Sequence, residues 1–280
     1  MQPRLAILAG AGDLPVRLVE ACRSAGRACV VILIAGQGTP AVFPDGVGIH
    51  TIDIAAAGAL FRILEQERCT ELVFAGRVAR PDFTRLRPDW RGLKLLPGII
   101  RAAATGDGAL LDFLVAEFER AGIRVLGAEE VLNDLTAESG ALGAVMPDAR
   151  DQTDIARGRA VARALGALDI GQAVVVEDGL VLALEAVEGT DAMLGRVAAI
   201  RAGRARGGVL IKGPKPQQDL RVDLPTIGPR TVEGCSAAGL AGIAVAARGA
   251  LVVDRIRTLE AADAAGLFIV GIDWSGGTDG

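Results

Sequence analysis

The chain has 280 residues, 51% of them hydrophobic and 3% aromatic, with 30 Lys and Arg against 34 Asp and Glu and a net charge of −4. That length builds one large or two ordinary domains with a full core, and the apolar content excludes intrinsic disorder. The acidic balance supplies no duplex-binding surface, so no nucleic acid partner is expected.

Further absences narrow the chemistry. With His50 the one histidine, multi-histidine zinc sites and dinuclear metallophosphoesterase sites are excluded as usually built. The lack of tyrosine removes the Tyr-Lys dyad of short-chain dehydrogenases. Cys22, Cys29, Cys69 and Cys235 have no CxxC spacing and are expected as free thiols in a reducing cytosol. The amino terminus carries no signal-peptide core, and the most apolar stretch, Leu240 to Val253, is interrupted by Arg248 and Gly249. A soluble, cytoplasmic protein is expected.

Short apolar runs alternate with longer helical patterns, the signature of a mostly parallel sheet covered by helices. Leu5 to Ala9 reads as a buried strand, followed by a glycine turn and a helix from about Leu14 to Ser24. Strands follow over Ala28 to Ile34 and Val47 to Ile52, a helix over Ala55 to Glu67, and a strand over Glu71 to Ala75 that ends at Gly76. Two helices, Leu93 to Ala104 and Ala109 to Ala121, flank Thr105-Gly106-Asp107-Gly108, with Asp107 as the expected cap; Ile123 to Leu126 is a strand. Between Asn133 and Arg150 the periodicity fades into a linker. The second half opens with a helix, Gln152 to Leu165, then a hairpin of Ala173 to Glu177 and Leu180 to Ala186 around Asp178-Gly179. Thr190 is expected to cap a helix to about Arg201, Gly208 to Ile211 is a strand, and Thr226 is expected to cap a helix to Ala238. Ile243 to Ala246 and Ala250 to Val253 read as strands, Leu259 to Ala265 as helix, and Leu267 to Ile272 as strand, with a disordered tail after Trp274. The reading is an α/β protein: a Rossmann-like parallel-sheet domain over 1–134, a linker over 135–150, and a second α/β domain with a mixed sheet over 151–280.

Five segments can carry chemistry. Gly10-Ala11-Gly12-Asp13-Leu14-Pro15 joins the first strand to the first helix, where glycines let the backbone approach a phosphate and the helix dipole attracts it. Pro15 replaces the third glycine of the dinucleotide fingerprint, and Ile34-Ala35-Gly36 lacks the ribose-binding acid, so a nucleotide fits and NAD is not favoured. A tight turn without ligand is the bland alternative. Gly76-Arg77-Val78-Ala79-Arg80 follows a parallel strand, where Arg77 and Arg80 suit a diphosphate or, equally, surface salt bridges. Glu185, Glu188 and Asp191 precede or open a helix, as cap and dipole partners or as ligands of a hard cation. Arg196, Arg201, Arg204 and Arg206 make a basic stretch facing solvent, lipid or phosphate. Finally, two of the three lysines, Lys212 and Lys215, stand in the proline-stiffened Lys212-Gly213-Pro214-Lys215-Pro216 loop, ahead of Asp223. Cations that hold a charged ligand beside a carboxylate that orients water or metal suit phosphoryl transfer.

Taken in order, AGAGDLP (Ala9 to Pro15), FAGRVARPDF (Phe74 to Phe83), RGLKLLP (Arg91 to Pro97), GDGALLDF (Gly106 to Phe113), LDIGQAVVVEDGLVLALEAVEGTDAML (Leu168 to Leu194), KGPKPQQD (Lys212 to Asp219) and RVDLPTIG (Arg221 to Gly228) span nearly the whole chain. In these segments the sequence resembles the UDP-2,3-diacylglucosamine diphosphatases of lipid A biosynthesis that lack the metallophosphoesterase fold. The resemblance implies a UDP-binding first domain, a second domain for the diacylglucosamine phosphate, and a catalytic site between them. It implies Mg²⁺-dependent attack of water on the α-phosphorus, giving UMP and 2,3-diacylglucosamine 1-phosphate (lipid X). The family's catalytic aspartate falls on Asp223, which would also hold the metal, with Lys212 and Lys215 on phosphate. Gly10, Gly12, Asp13, Leu14, Gly76, Arg77, Arg80, Asp107, Thr190, Asp191, Gln217 and Thr226 are the expected substrate contacts. The family's KGDD pattern stands here as Thr105-Gly106-Asp107-Gly108, without its lysine and second acid. Peripheral contact with the cytoplasmic face of the inner membrane is implied, and a homodimer is left open. A non-catalytic nucleotide-sugar or lipid-binding protein and a nicotinamide oxidoreductase are the other classes considered.

Overall fold

The computed structural model describes residues 3–37, 43–76, 78, 88–132, 135–216, 221 and 224–275. Two compact units emerge, Met1–Asn133 with Arg221–Asp223, and Asp134–Leu220 with Leu224–Gly280. Among the described residues the first unit runs β1 (Arg4–Ala9), α1 (Leu14–Ser24), β2 (Cys29–Ile34), β3 (Gly48–Ile52), α2 (Ala57–Gln66), β4 (Cys69–Ala75), α3 (Trp90–Thr105), α4 (Asp107–Arg120) and β5 (Arg124–Leu126).

Its five strands pair in parallel in the order β3-β2-β1-β4-β5. This is the Rossmann-type order, in which the direction of winding reverses between β1 and β4. β1 and β2 are near-continuous apolar runs because helices cover both faces. Ala6, Leu8, Val30, Ile32 and Leu72 form one buried face with Val115 and Phe118 of α4, and Phe118 meets Phe61 and Phe74 at ring-centroid distances of 5.2 and 5.8 Å. Each fully buried Leu, Ile or Phe contributes about 1.5–3 kcal/mol.

Helix α3 begins three residues earlier than the apolar pattern suggests. Asp89 caps it by accepting from Gly92 N–H at 2.8 Å, and also accepts from Gly58 and Ala59 N–H at 3.0 Å at the start of α2. Burial raises the Asp89 carboxyl, but the backbone N–H donors from Gly92, Gly58 and Ala59 outweigh it and hold the group below its ordinary range. Asp107 is the first residue of α4 rather than its cap, since the chain turns at Gly106 with φ of 155°.

In the second unit β6 (Gly140–Ala141), α5 (Ala149–Ala167), β7 (Ala173–Glu177), β8 (Leu180–Leu184), α6 (Gly189–Ile200), β9 (Val209–Lys212), β10 (Thr226–Ile227), α7 (Pro229–Ala237), β11 (Gly242–Ala246), β12 (Leu251–Val252), α8 (Arg255–Ala264) and β13 (Phe268–Ile272) follow in order. A six-stranded mixed sheet runs β6-β13-β11-β9-β7-β8, with β13, β11 and β9 parallel and the other pairs antiparallel. Alternation along β7 sends Val174 and Val176 to Ile155 and Ala162 of α5, and Ala173 and Val175 to the core shared with α6, α7 and α8. The Asp178-Gly179 hairpin has positive φ at both residues, 50° and 75°, as a tight two-residue turn requires.

Three sequence expectations change here. Residues 135–150, read as a linker, contribute the fully buried Ala137 to the second core and pair β6 with β13; irregular but hydrogen-bonded chain leaves no periodic signal. Thr226 starts a short strand that pairs with β12, and α7 begins at Pro229 after Gly228, because proline is suited to the first helical turn. Thr190 lies inside the first turn of α6 and gives no cap hydrogen bond, its hydroxyl being used elsewhere. Residues 276–280, most of the tail expected to be disordered, fall outside the described residues.

Candidate active site

The first unit brings the two glycine motifs together. Gly10 N–H donates to the carbonyl of Ala75 at 2.8 Å, which joins the end of β1 to the end of β4. Gly76, at φ of 86°, packs so closely on this turn that a Cβ there would lie 2.5 Å from the Ala11 carbonyl oxygen. Gly12, at φ of 107°, faces open space and needs glycine for its backbone conformation alone. The turn therefore sits at the carboxyl ends of the two strands where the winding reverses, the usual ligand crevice of an open α/β sheet.

The helix termini around this crevice differ. Asp89 satisfies the amides that open α2 and α3. Asp13 precedes α1 in a helical conformation with no side-chain cap, and Pro15 occupies its first turn. The exposed Gly12 and Asp13 and the half-buried Leu14 thus present an uncapped helix start, where backbone N–H groups and the dipole favour an anion. Arg77 and Arg80 lie outside the described residues, as does the side chain of Asp107.

The second unit assembles a buried polar network at the end of β9. Lys212, 7% exposed, donates from Nζ to Thr190 Oγ1 at 2.9 Å and to the Thr226 carbonyl at 3.2 Å. The Thr190 hydroxyl donates to Glu185 Oε1 at 2.6 Å, and Gln172 N–H donates to Glu185 Oε2 at 3.2 Å. Glu185 is also 7% exposed. A buried ammonium is tolerable only with such partners, and here the hydroxyl links cation to anion. Cys235 lies in the same core; burial pushes its thiol well up, against a lowering pull from Lys212, so it stays protonated and is no nucleophile.

The loop after Lys212 is clamped from three sides. Gly213 N–H donates to the Gln172 carbonyl at 3.1 Å, and Trp274 Nε1 donates to the Pro214 carbonyl at 3.1 Å. A Cβ on Gly213 would overlap the Trp274 ring, and one on Gly249 would stand 3.3 Å from Pro214. Lys215 turns to Asp169, Nζ to Oδ1 2.6 Å. Lys212, Thr190 and Thr226 are therefore brought together, whereas Lys215 pairs with Asp169 and Asp191 forms an exposed ion pair with Arg230 at 2.8 Å. Gln217 and Asp223 lie outside the described residues.

Sequence reasoning missed Glu185 as the counter-ion of Lys212 and Trp274 as the clamp of its loop. For Trp274 no local signal exists, since its partner is sixty residues away. The basic stretch is consumed internally: Arg196 by Leu184 O and Glu188, Arg201 by Glu177 and the carbonyls of Ala205, Ala238 and Gly239, and Arg206 by Leu240 O and Gly266 O. Among the described residues no group of three or more His, Cys, Asp or Glu side chains forms a metal cage.

Comparison with known proteins adds the following. Two family models match, the LpxI N-terminal domain over residues 4–135 and the LpxI C-terminal domain over residues 138–270. A Caulobacter vibrioides protein described as UDP-2,3-diacylglucosamine pyrophosphatase LpxI is 49% identical over 276 residues, covering 96% of this chain and 98% of its own. Among solved structures, CobK precorrin-6A reductase aligns with 97% of this chain and 88% of its own at 17% identity and a TM-score of 0.35. The Bordetella bronchiseptica enzyme WbmG in complex with NAD aligns with 30% and 28%, at 28% identity and a TM-score of 0.25.

Proposed function

The chain belongs to the LpxI family in both of its domains, and from that premise we propose that it hydrolyses UDP-2,3-diacylglucosamine to UMP and 2,3-diacylglucosamine 1-phosphate (lipid X), a step of lipid A biosynthesis. The observation that carries this reading is the 49% identity to the Caulobacter vibrioides pyrophosphatase along nearly the whole of both chains. The geometry supports it with an uncapped helix start at the β1–β4 crevice and a buried, positioned lysine beside a rigid loop.

In the proposed reaction, water forms a bond to the α-phosphorus, the bond to the bridging oxygen breaks, and that oxygen leaves on the lipid phosphate. The backbone N–H groups at Gly12, Asp13 and Leu14 hold the UDP phosphates, with Gly10, whose own N–H is bonded to Ala75, and Gly76 leaving room and Arg77 and Arg80 clamping the diphosphate. Lys212, fixed by Thr190, Glu185 and the Thr226 carbonyl, presents its charge to phosphate; Lys215 joins it on leaving Asp169, and Gln217, Asp107 and Asp191 complete the substrate contacts. Asp223 orients the attacking water or holds Mg²⁺. Magnesium usually binds through one or two carboxylates plus substrate phosphates, so one aspartate and the diphosphate make an adequate donor set. When bound it neutralises charge on the diphosphate.

The same reading places the protein in the cytoplasm at the inner-membrane surface. No described helix is long and apolar enough to cross a membrane. A homodimer is part of this reading only as an outcome to be measured.

Asp223→Ala tests the assignment. Its expected phenotype is a loss of turnover of at least about 100-fold, as for other charged groups active in the transition state, with UDP binding by calorimetry retained. Turnover at the wild-type rate would remove Asp223 from the mechanism.

A further inference from the structure

Helix α3 carries an outward face that the candidate site does not use. Trp90, Leu93, Pro97, Ile100 and Ala104 recur at spacings of three and four, so they form one stripe along a helix about 24 Å long. All five are exposed; Trp90 is 72% exposed, Leu93 51% and Ile100 50%. Exposed Lys94 and Arg101 flank the stripe, and Lys94 lies over the Trp90 ring, 5.3 Å from its centroid.

The stripe cannot turn inward. On the opposite side a Cβ at Gly98 would stand 2.5 Å from the Phe113 ring of α4, and one at Gly92 would overlap the Ala55 carbonyl before α2. Arg91 stacks on Phe61 of α2, 3.4 Å from the ring centroid. The helix is therefore locked with its apolar stripe outward.

Charge identifies the occupant. The three charged residues of α3, Arg91, Lys94 and Arg101, are all basic, in a chain whose net charge is −4. Protein interface cores are depleted of lysine, whereas helices lying in a membrane interface combine Trp, Leu and Ile with flanking Lys and Arg that attract anionic lipid. We propose that the α3 stripe seats on an anionic bilayer surface, with Trp90, Leu93 and Ile100 among the acyl chains and Lys94 and Arg101 on lipid phosphates. This deepens the membrane contact proposed above by giving it a location, and vesicle binding and hydrolysis are read separately so that either can fail alone.

The test is flotation of the full chain with substrate-free vesicles of phosphatidylglycerol and phosphatidylethanolamine, and with phosphatidylcholine vesicles. The wild-type protein is expected to float with the anionic vesicles, to be released by salt, and to show a blue shift of tryptophan emission that Trp90→Phe removes. Leu93→Glu with Ile100→Glu is expected to lower the vesicle-bound fraction at least tenfold, and Lys94→Gln with Arg101→Gln to erase the preference for anionic lipid. All these positions are exposed, so the variants should fold; turnover of detergent-dispersed substrate should stay at the wild-type level. Failure of the wild-type chain to float, or equal flotation of the glutamate variant, overturns the proposal. So does a wild-type dimer that the glutamate variant converts to monomer, which would make the stripe a contact between copies. Absent hydrolysis with intact flotation counts against the proposed reaction and leaves the surface standing.

Discussion

Thr190→Val is the substitution that most directly tests the buried network. It keeps the shape of the side chain but removes the hydroxyl that accepts from Lys212 at 2.9 Å and donates to Glu185 at 2.6 Å. Each is a bond to a charged group, worth about 1.5–3 kcal/mol when buried. Lys212 keeps the Thr226 carbonyl and Glu185 keeps the Gln172 amide, so the lower end applies to both, about 3 kcal/mol in total. With a urea dependence of about 2 kcal/mol/M for a unit of this size, the unfolding midpoint should fall by about 1.5 M. The chain has two tryptophans, so a Trp90→Phe background leaves Trp274 as the single reporter of the second unit. Thr190→Ser, which restores the hydroxyl, should recover most of the loss. An unchanged midpoint in Thr190→Val would show that the hydroxyl holds neither charge, and Lys212 would lose its claim to be positioned.

Two further outcomes follow from the first unit. Gly76→Ala meets both a left-handed backbone cost of about 1–2 kcal/mol and a clash with the Ala11 carbonyl oxygen; UDP affinity measured by calorimetry should fall at least tenfold, and unchanged affinity would move the phosphate site away from this turn. Asp89 has a depressed carboxyl pKa, so its stabilisation is present above the unfolded carboxylate pKa and is lost as pH falls through the folded one. Asp89→Ala, which uncaps α2 and α3, should cost about 2 kcal/mol at neutral pH, with the gap to wild type closing in acid; a gap that does not depend on pH would contradict the charged-cap account.

The parts of the fold that were legible share one property, a signal local in sequence. The β1 run into Gly10-Ala11-Gly12 and the β4 run into Gly76 announce strand, turn and helix within a few residues, and Asp178-Gly179 announces its hairpin. The illegible parts depend on distant partners. Asp89 is an effective cap because Gly58 and Ala59 approach from another helix, and Thr190 resembles a cap until Glu185 and Lys212 claim its hydroxyl. The 135–150 stretch is ordered by β13 and by the core around Ala137. At the site, residue types were readable from the Lys212 loop, but the clamp by Trp274 and the pairing of Lys215 with Asp169 are tertiary facts.

Incubation of the purified chain with UDP-2,3-diacylglucosamine in ¹⁸O-water, with and without chelator, addresses the central claim most directly. The account predicts UMP carrying one ¹⁸O, unlabelled 2,3-diacylglucosamine 1-phosphate, and suppression by chelator. Intact substrate in the presence of measurable UDP binding would contradict it and make the protein a binding module, and label in the lipid phosphate instead of UMP would place the attack on the other phosphorus.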